Sequence, residues 1–315
     1  MLGRSANGIF WLFRYLERAE NISRLIEAGF RMALTRDASD ASDEWRSLIV
    51  TLGLRPGYET RYGPEYTAAH VFNYILRDKD NAGSVLSMTE MARTNARMVR
   101  GGITREVWES VNDGWMRLKE ALARPVSETR LGDVLDLVRR QSTQVRGAME
   151  GTMLRNEIYN FARLGSFIER ADNTARILDV KYYVPLPSVS YVGSSLDNVQ
   201  WENVLRSVAG ERAYRWLNAG RMDPRGIAEF LILDGRFPRS LAFCYSKLRS
   251  NLASLAREYG REMHCHEILR DADCQFHQIT IDAIFEQGLH EFIGTFIRNN
   301  TALAMQVQRD YRFID

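Results

Sequence analysis

The chain has 315 residues, of which 45% are hydrophobic and 26% charged, and its formal net charge is +2. This composition predicts an ordinary globular protein with a sizeable core, arranged as one large domain or two closely packed ones. The balanced charge argues against nucleic-acid binding, and no run approaches the roughly 18 apolar residues that a membrane span requires.

Apolar residues recur every three or four positions along most of the chain, and its 7 prolines and 22 glycines are few for this length. Both features are typical of helices, so we predict an all-α fold. In the first half, we expect a helix from about residue 5 to 34, a polar loop at 37–43, a helix that begins at Glu44, turns at 53–64, and helices at 67–77, 81–100, 104–123 and 132–149.

The second half is expected to follow the same order. A helix at 155–184 precedes a Pro- and Ser-rich loop at 185–195, and a His- and Cys-bearing segment from residue 262 precedes a last long helix at 273–311. In each half an Asp, Asp78 or Asp234, begins a short turn between two helices, which suits a capping role.

One stretch near the N-terminus returns 152 positions later. Residues 14–27 read Arg-Tyr-Leu-Glu-Arg-Ala-Glu-Asn-Ile-Ser-Arg-Leu-Ile-Glu, and residues 166–179 read Ser-Phe-Ile-Glu-Arg-Ala-Asp-Asn-Thr-Ala-Arg-Ile-Leu-Asp. Further on, 71–78 aligns with 227–234 at an offset of 156. Such self-similarity indicates duplication. We predict two tandem helical repeats, 1–150 and 151–315, packed as one multi-helix, bundle-like domain about a pseudo-two-fold axis.

Each copy of this motif places a polar stripe on an otherwise apolar helix, which predicts buried charges that need partners. Two interpretations stay open. The stripes pair with each other and lock the repeats together, or they form a ligand-binding or catalytic site. The candidate residues are Arg14, Glu17, Arg18, Asn21 and Arg24 in the first copy, and Glu169, Arg170, Asp172, Asn173 and Arg176 in the second.

Other chemistry has little support in the sequence. Cys244, Cys265 and Cys274 lack CxxC spacing, which predicts reduced thiols and a cytoplasmic location, with Cys244 in the core. The apolar patch at 9–13 runs directly into charged residues and does not resemble a secretory signal. The spacing of histidines and acids near the C-terminus is too irregular to predict a metal site. Nucleotide-binding, nucleophile-elbow and di-iron signatures are absent, so no cofactor is predicted.

The Glu-Arg-Ala-acid-Asn motif resembles that of the alpha-E family, which consists of bacterial all-helical proteins named for a Glu-Arg motif on a helix. The resemblance covers the whole chain. It includes residues 2–6, 11–21 and 167–176, the segment 95–100 with Trp108, Glu109 and Asn112, and residues 237–240 after Asp234. Members of this family lie beside, or are fused to, circularly permuted ATP-grasp amide ligases, often with transglutaminase-like proteases.

The resemblance implies an accessory or scaffold protein that docks on an ATP-grasp ligase subunit and presents a peptide or amino-acid-like substrate. The ligase would bind ATP and Mg²⁺. The alternative is an enzyme in its own right, with Glu17 or Glu169 as general base and Arg18 or Arg170 polarising a carbonyl or amide. Neighbouring arginines favour the ionised carboxylate, which disfavours that alternative. A homodimer is a third arrangement, for which the sequence offers no separate support.

Overall fold

A computed structural model describes residues 3–34, 38–183, 195–220 and 222–313, so the predicted loop at 185–195 lies almost wholly outside the described residues. Within those ranges the chain forms α-helices and one π-helical turn but no strand, which confirms the all-α class. The helices are α1 (Gly3–Ala33), α2 (Ala38–Thr51), α3 (Arg55–Tyr62), α4 (Ala68–Phe72) with the π-helical turn Asn73–Arg77, α5 (Val85–Met98), α6 (Arg105–Ala121), α7 (Glu128–Thr152), α8 (Glu157–Tyr183), α9 (Ser195–Ser207), α10 (Glu211–Leu217), α11 (Pro224–Leu233), α12 (Leu241–Tyr259), α13 (His264–Gln278), α14 (Ile281–Gln287) and α15 (Leu289–Asp310).

Side-chain caps explain where many of these helices begin. The capping oxygen accepts a hydrogen bond from a backbone N–H in the first turn, which would otherwise lack a partner. The capping residues are Thr67 for α4, Ser84 for α5, Thr104 for α6, Asp223 for α11, Ser240 for α12 and Thr280 for α14. Among the described residues, no helix is long and apolar enough to cross a membrane.

The expected polar loop at 37–43 and turns at 53–64 were wrong in part. Helix α2 already begins at Ala38, six residues before the predicted start at Glu44. Helix α3 occupies Arg55–Tyr62, with Pro56 in its first turn, where proline is tolerated.

The expected single helix at 273–311 was also wrong. Three helices, α13, α14 and α15, divide this stretch. Residue Thr280 caps a new helix, and Gly288 adopts a φ of +101°, which only glycine accommodates readily. Apolar residues recur at helical spacing across both interruptions, so the sequence pattern alone predicts one continuous helix.

By internal packing the chain divides into two compact units. The first unit is Gly8–Ala162, in which α6 packs between α5 and α7. The second unit is Met1–Asn7 with Arg163–Asp315, in which α13 packs against α12 and α15. The predicted repeat boundaries at 1–150 and 151–315, and the pseudo-two-fold axis, stay predictions.

Equivalent tyrosines 156 positions apart make the same contacts inside their own units. The hydroxyl of Tyr58 donates to the Glu65 carbonyl at 2.9 Å, and the hydroxyl of Tyr214 donates to the Asp223 carbonyl at 3.2 Å. Each ring also meets another edge to face, with 5.4 Å between the Tyr58 and Tyr74 centroids and 5.6 Å between those of Tyr214 and Phe230. Because Tyr74 and Phe230 are also 156 apart, these contacts support duplication.

The two predicted capping turns provide a second match. The N–H of Asp80 donates to Asp78 Oδ1 at 3.0 Å, and the N–H of Arg236 donates to Asp234 Oδ1 at 2.7 Å. In both halves the aspartate follows one helical element, and the residue that caps the next helix, Ser84 or Ser240, lies six positions later. Each aspartate therefore begins the turn between two helical elements, as predicted, whereas the N-cap of the following helix is a serine.

Candidate functional site

The first copy of the motif lies in the middle of α1, within the first unit. Glu17, Glu20 and Asn21 are buried, whereas Arg18 and Arg24 are half-buried. The prediction that the motif carries buried charge is therefore confirmed for its two acids, Glu17 and Glu20. Burial follows from the apolar residues that surround it on the same helix, among them Leu16 and Ala19.

Two arginines bind these acids within the first unit. Arg146, from α7, places Nη1 3.3 Å from Glu17 Oε2 and also bonds Glu20 Oε2. Arg24 Nη2 lies 2.9 Å from the other oxygen of Glu20. Three carboxylate oxygens thus have guanidinium partners, and charge-assisted bonds of this kind are among the stronger hydrogen bonds in proteins.

Arg146 was missed by the sequence analysis because it lies 129 positions from Glu17. A signal was nevertheless present: Arg139, Ser142 and Arg146 follow one another at helical spacing between buried residues of α7. All three bind α1. Ser142 Oγ donates to the Leu16 carbonyl at 3.0 Å, and Arg139 Nη1 lies 2.7 Å from Glu27 Oε2. The motif and this second polar stripe therefore form one network.

Arg14 lies on aromatic rings of its own helix. Its guanidinium carbon is 4.5 Å from the centroid of Trp11 and 5.6 Å from that of Phe10. A cation over an indole face gains electrostatic stabilisation, and it is also held in one orientation.

The second copy of the motif lies on α8, in the second unit. Glu169, Arg170 and Asn173 are buried, while Asp172 and Arg176 form an ion pair at 2.7 Å one helical turn apart. Arg170 Nη1 donates to the Pro238 carbonyl at 3.3 Å, and its guanidinium lies over Phe167 at 5.2 Å. This arginine thus joins α8 to the segment that precedes α12.

Helix α8 is also bound by α15, much as α1 is bound by α7. The Nδ2 of Asn300 donates to the Ile168 carbonyl at 3.0 Å, which matches the bond that Leu16 accepts in the first unit. His290 Nδ1 lies 2.6 Å from Asp179, the counterpart of Glu27. In each unit, the final long helix therefore donates a side-chain hydrogen bond to a backbone carbonyl of the motif helix. The same helix places a nitrogen-bearing side chain, Arg139 or His290, beside the last acid of the motif, Glu27 or Asp179.

Asn173 differs from the rest of its motif. Its Nδ2 is buried and has no acceptor among the residues that the structure describes. Buried polar groups are nearly always hydrogen-bonded, so an unsatisfied donor calls for an explanation. It is a candidate contact for a molecule that binds at the second copy.

The His- and Cys-bearing segment forms part of the packing of α13. His266 Nδ1 accepts from the Met263 N–H at 2.9 Å and Nε2 donates to the Leu252 carbonyl at 3.0 Å, so both ring nitrogens are satisfied.

Burial, reinforced by Asp310, raises the pKa of the Cys265 thiol, which makes it unreactive. Within the described ranges no three His, Cys, Asp or Glu residues lie close enough to hold a metal ion. Cys244 lies in the core as predicted.

A cavity of about 570 Å³ lies between α12, α13, α14 and α15. Its wall includes the aromatic rings of Tyr245, Phe276 and Phe296 and the amides of Gln275 and Asn299. Among the residues that the structure describes, no charged side chain and no residue of either motif lines this cavity.

Comparison with known proteins places these two motifs in a family. The Alpha-E model, described as "a predicted alpha-helical domain with a conserved ER motif", matches residues 1–311. The chain belongs to the Alpha-E family. Each copy of the repeated motif in this Alpha-E chain contains a Glu-Arg pair, Glu17-Arg18 and Glu169-Arg170.

Curated relatives of this Alpha-E chain include "Uncharacterized protein Mb2597" of Mycobacterium bovis and "Uncharacterized protein Rv2567" of Mycobacterium tuberculosis. Each is 24% identical over 282 residues, an alignment that covers 82% of this chain and 30% of the relative. The chain therefore spans less than a third of the length of these relatives. No solved structure matches it.

Proposed function

We propose that this Alpha-E chain is an accessory or scaffold module that works with an ATP-grasp amide ligase and presents a peptide or small-molecule substrate for amide-bond formation. One observation supports the proposal that this chain is not itself the catalyst. The buried acids of the first motif, Glu17 and Glu20, are bound by Arg146 and Arg24. A carboxylate that already serves as counter-ion to a guanidinium is poorly placed to accept a substrate proton. The class of partner comes from the family resemblance.

The length of the relatives supports a modular role. Since this chain corresponds to 30% of each aligned mycobacterial protein, an Alpha-E segment can be one part of a longer polypeptide. Three cysteines without a disulfide, Cys244, Cys265 and Cys274, favour a reducing compartment, so a cytoplasmic location belongs to the proposal. The tandem repeats also belong to the proposal, supported by the matched contacts inside each unit, and their pseudo-two-fold axis stays a prediction.

Reconstitution with a ligase tests this proposal. The full chain is mixed with an ATP-grasp amide ligase, and ATP-dependent amide formation is followed with and without the chain. We expect the chain to raise the rate, and we expect the chain alone to show no tight Mg-ATP or metal binding by calorimetry. Micromolar Mg-ATP binding by the chain alone, or an unchanged ligase rate, would contradict the proposal.

The rival function is an enzyme in its own right, acting on amide or peptide bonds at the second motif. The unsatisfied donor of Asn173 favours it, because a buried amide without an acceptor could bind a substrate carbonyl. Incubation of the chain alone with peptide and amide substrates separates the two functions. Turnover that is lost in Asn173→Ala, with an unchanged melting temperature, would establish the enzyme. Absence of turnover in the chain alone, with stimulation of the ligase, supports the scaffold.

A further inference from the structure

One face of the first unit carries cations without carboxylate partners. We call it the α5–α6 face, and it consists of Arg93, Arg97 and Arg100 at the end of α5 with Trp108, Asn112, Trp115 and Lys119 on α6. Positions 93 and 97 are about one helical turn apart in α5, and Arg100 follows the end of that helix. Positions 108, 112, 115 and 119 share one side of α6. Within the part of the chain that the structure describes, none of the four cations forms an ion pair.

Tryptophan rings lie against three of these four cations, Arg93, Arg100 and Lys119. The Arg93 guanidinium lies 4.4 Å from the Trp115 centroid and 6.0 Å from the Trp108 centroid. Arg100 lies 5.7 Å from Trp108, and Lys119 Nζ lies 4.9 Å from Trp115. A side chain that is already ordered loses less conformational entropy when it binds an anion. The arrangement is thus preorganised for a negatively charged ligand.

The duplication supplies an internal comparison. Arg249 is the counterpart of Arg93 at the offset of 156, and it lies 3.1 Å from Asp273 of the next helix. The Asp273 side chain is only 3% exposed. Arg93, in contrast, donates from Nε to the neutral Oδ1 of Asn112 at 2.8 Å. The second unit therefore pairs this arginine with a carboxylate, whereas in the first unit its Nε meets a neutral amide oxygen and no carboxylate pairs with it among the described residues.

We propose that the α5–α6 face binds an extended acidic peptide segment whose carboxylates pair with Arg93, Arg97 and Arg100. The four residues from Arg93 to Arg97 correspond to about 6 Å of helix. Side chains on the same side of an extended peptide recur about every 7 Å, so acids at alternate positions match this spacing. The exposed Met116, whose Sδ accepts from Asn112 Nδ2 at 3.7 Å, gives adaptable apolar contact to the residues between the acids.

The same features disfavour a nucleic acid. Single strands bind where aromatic faces are open for bases to stack. Here Arg93 and Arg100 lie over Trp108, and Arg93 and Lys119 lie over Trp115. The chain as a whole carries only +2, far from the basic charge of most nucleic-acid-binding domains. This inference does not depend on the proposed function, because binding is measured without a ligase.

Fluorescence anisotropy with the full chain tests the proposal. The probe is a labelled peptide with alternating Asp and Leu over six residues, and the matched control has Asn in place of every Asp. Arg97→Gln and Arg100→Gln each remove one proposed partner, and we expect each to weaken binding about two- to fivefold, the range of an exposed ion pair. Arg117→Gln is the charge-matched control, since Arg117 is exposed and lies away from this face of α6.

Asn112→Asp is the sharpest variant, because it gives Arg93 the internal carboxylate that Asp273 gives Arg249. We expect it to weaken peptide binding about as much as Arg97→Gln while the melting temperature is kept or raised. Affinity should fall with added salt. The proposal is overturned if the Asn peptide binds as tightly, if Arg117→Gln has the same effect as Arg97→Gln, or if Asn112→Asp leaves affinity unchanged. Tighter binding of a labelled single-stranded oligonucleotide of equal charge would assign the face to nucleic acid instead.

Discussion

Arg146 Nη1 lies 3.3 Å from Glu17 Oε2, and the same nitrogen also bonds Glu20, so one guanidinium of α7 holds two buried carboxylates of α1. Both glutamate side chains are 1% exposed. Two like charges this close in a buried site repel each other unless a cation lies between them. Arg146 therefore offsets the repulsion between these two carboxylates.

Replacing Arg146 by Gln should destabilise the protein strongly. Breaking a buried ion pair by removing one partner costs about 3–5 kcal/mol, and we expect the lower end because Arg24 still binds Glu20. Urea denaturation measures the loss in free energy of unfolding. Arg140→Gln is the control on the same helix, because Arg140 is 78% exposed and 4.0 Å from Asp136, and it should change stability by under about 0.5 kcal/mol. Equal losses in both variants would show that Arg146 is not a structural counter-ion.

The two acids of the first motif should respond unequally to neutralisation. Glu20 is bound by two guanidinium groups, those of Arg146 and Arg24, and the Arg146 nitrogen that it shares with Glu17 lies 3.3 Å from Glu17 Oε2. We therefore expect Glu20→Gln to lower the melting temperature more than Glu17→Gln. Differential scanning calorimetry measures both. A rise in melting temperature for either variant would show an uncompensated carboxylate, as expected of a catalytic group.

Glu169→Gln extends this test to the second motif. Glu169 is 3% exposed, so its charge requires compensation inside the protein, and we expect a clear fall in melting temperature. The same variant is added to the coupled ligase reaction. A stable Glu169→Gln protein that no longer supports amide formation would contradict a structural role and favour a functional one.

The sequence predicted the burial of the motif acids but not their partners. Apolar residues around Glu17 make α1 hydrophobic on most sides, and that pattern is local. The bond from Arg146 joins positions 129 apart, and α7 offers Arg139 and Arg140 as equally plausible partners. Only the packing of α7 on α1 decides among them, because it places Ser142 against the Leu16 carbonyl and fixes the register.

Local signals also misled the assignment of short helices. Pro56 and Gly57 are common turn residues, yet both lie in α3. Glycine is required there by a distant contact, since a Cβ at Gly57 would collide with the Tyr74 hydroxyl. The reverse error occurred at Gly288, where one glycine with positive φ separates two helices inside a periodic stretch. A pattern of apolar spacing does not report such tertiary constraints.

Tyr58→Phe and Tyr214→Phe should have similar effects. Each removes one hydroxyl that donates to a backbone carbonyl, at Glu65 or Asp223, and leaves that carbonyl short of a partner. We expect a loss of about 0.5–1.5 kcal/mol in each variant by chemical denaturation. Tyr15→Phe is the control, because within the described residues the Tyr15 hydroxyl makes no hydrogen bond, and it should change stability little. A large effect in only one member of the pair would show that the two contacts are not equivalent.

The capping turn at Asp234 should make stability depend on acid pH. Burial alone would raise the pKa of Asp234, but bonds from the Arg236 side chain and N–H and from the Phe237 N–H outweigh it and hold the pKa below its usual value. A carboxyl with a lower pKa in the folded state stabilises the protein fully above the unfolded-state value of about 3.9, and that stabilisation disappears as pH falls through the folded-state value.

Asp234→Asn should therefore lower the melting temperature at neutral pH, and its difference from the natural protein should shrink as the pH falls below about 4. Circular dichroism melts from pH 7 downward measure this difference. Asp113→Asn is the matched control, since Asp113 is exposed and no hydrogen bond or ion pair involves it among the described residues, and its melting temperature should stay close to that of the natural protein. A difference for Asp234→Asn that is constant with pH would mean that the turn depends on side-chain shape, because the asparagine oxygen would then cap the Arg236 N–H as well as the ionised carboxylate does.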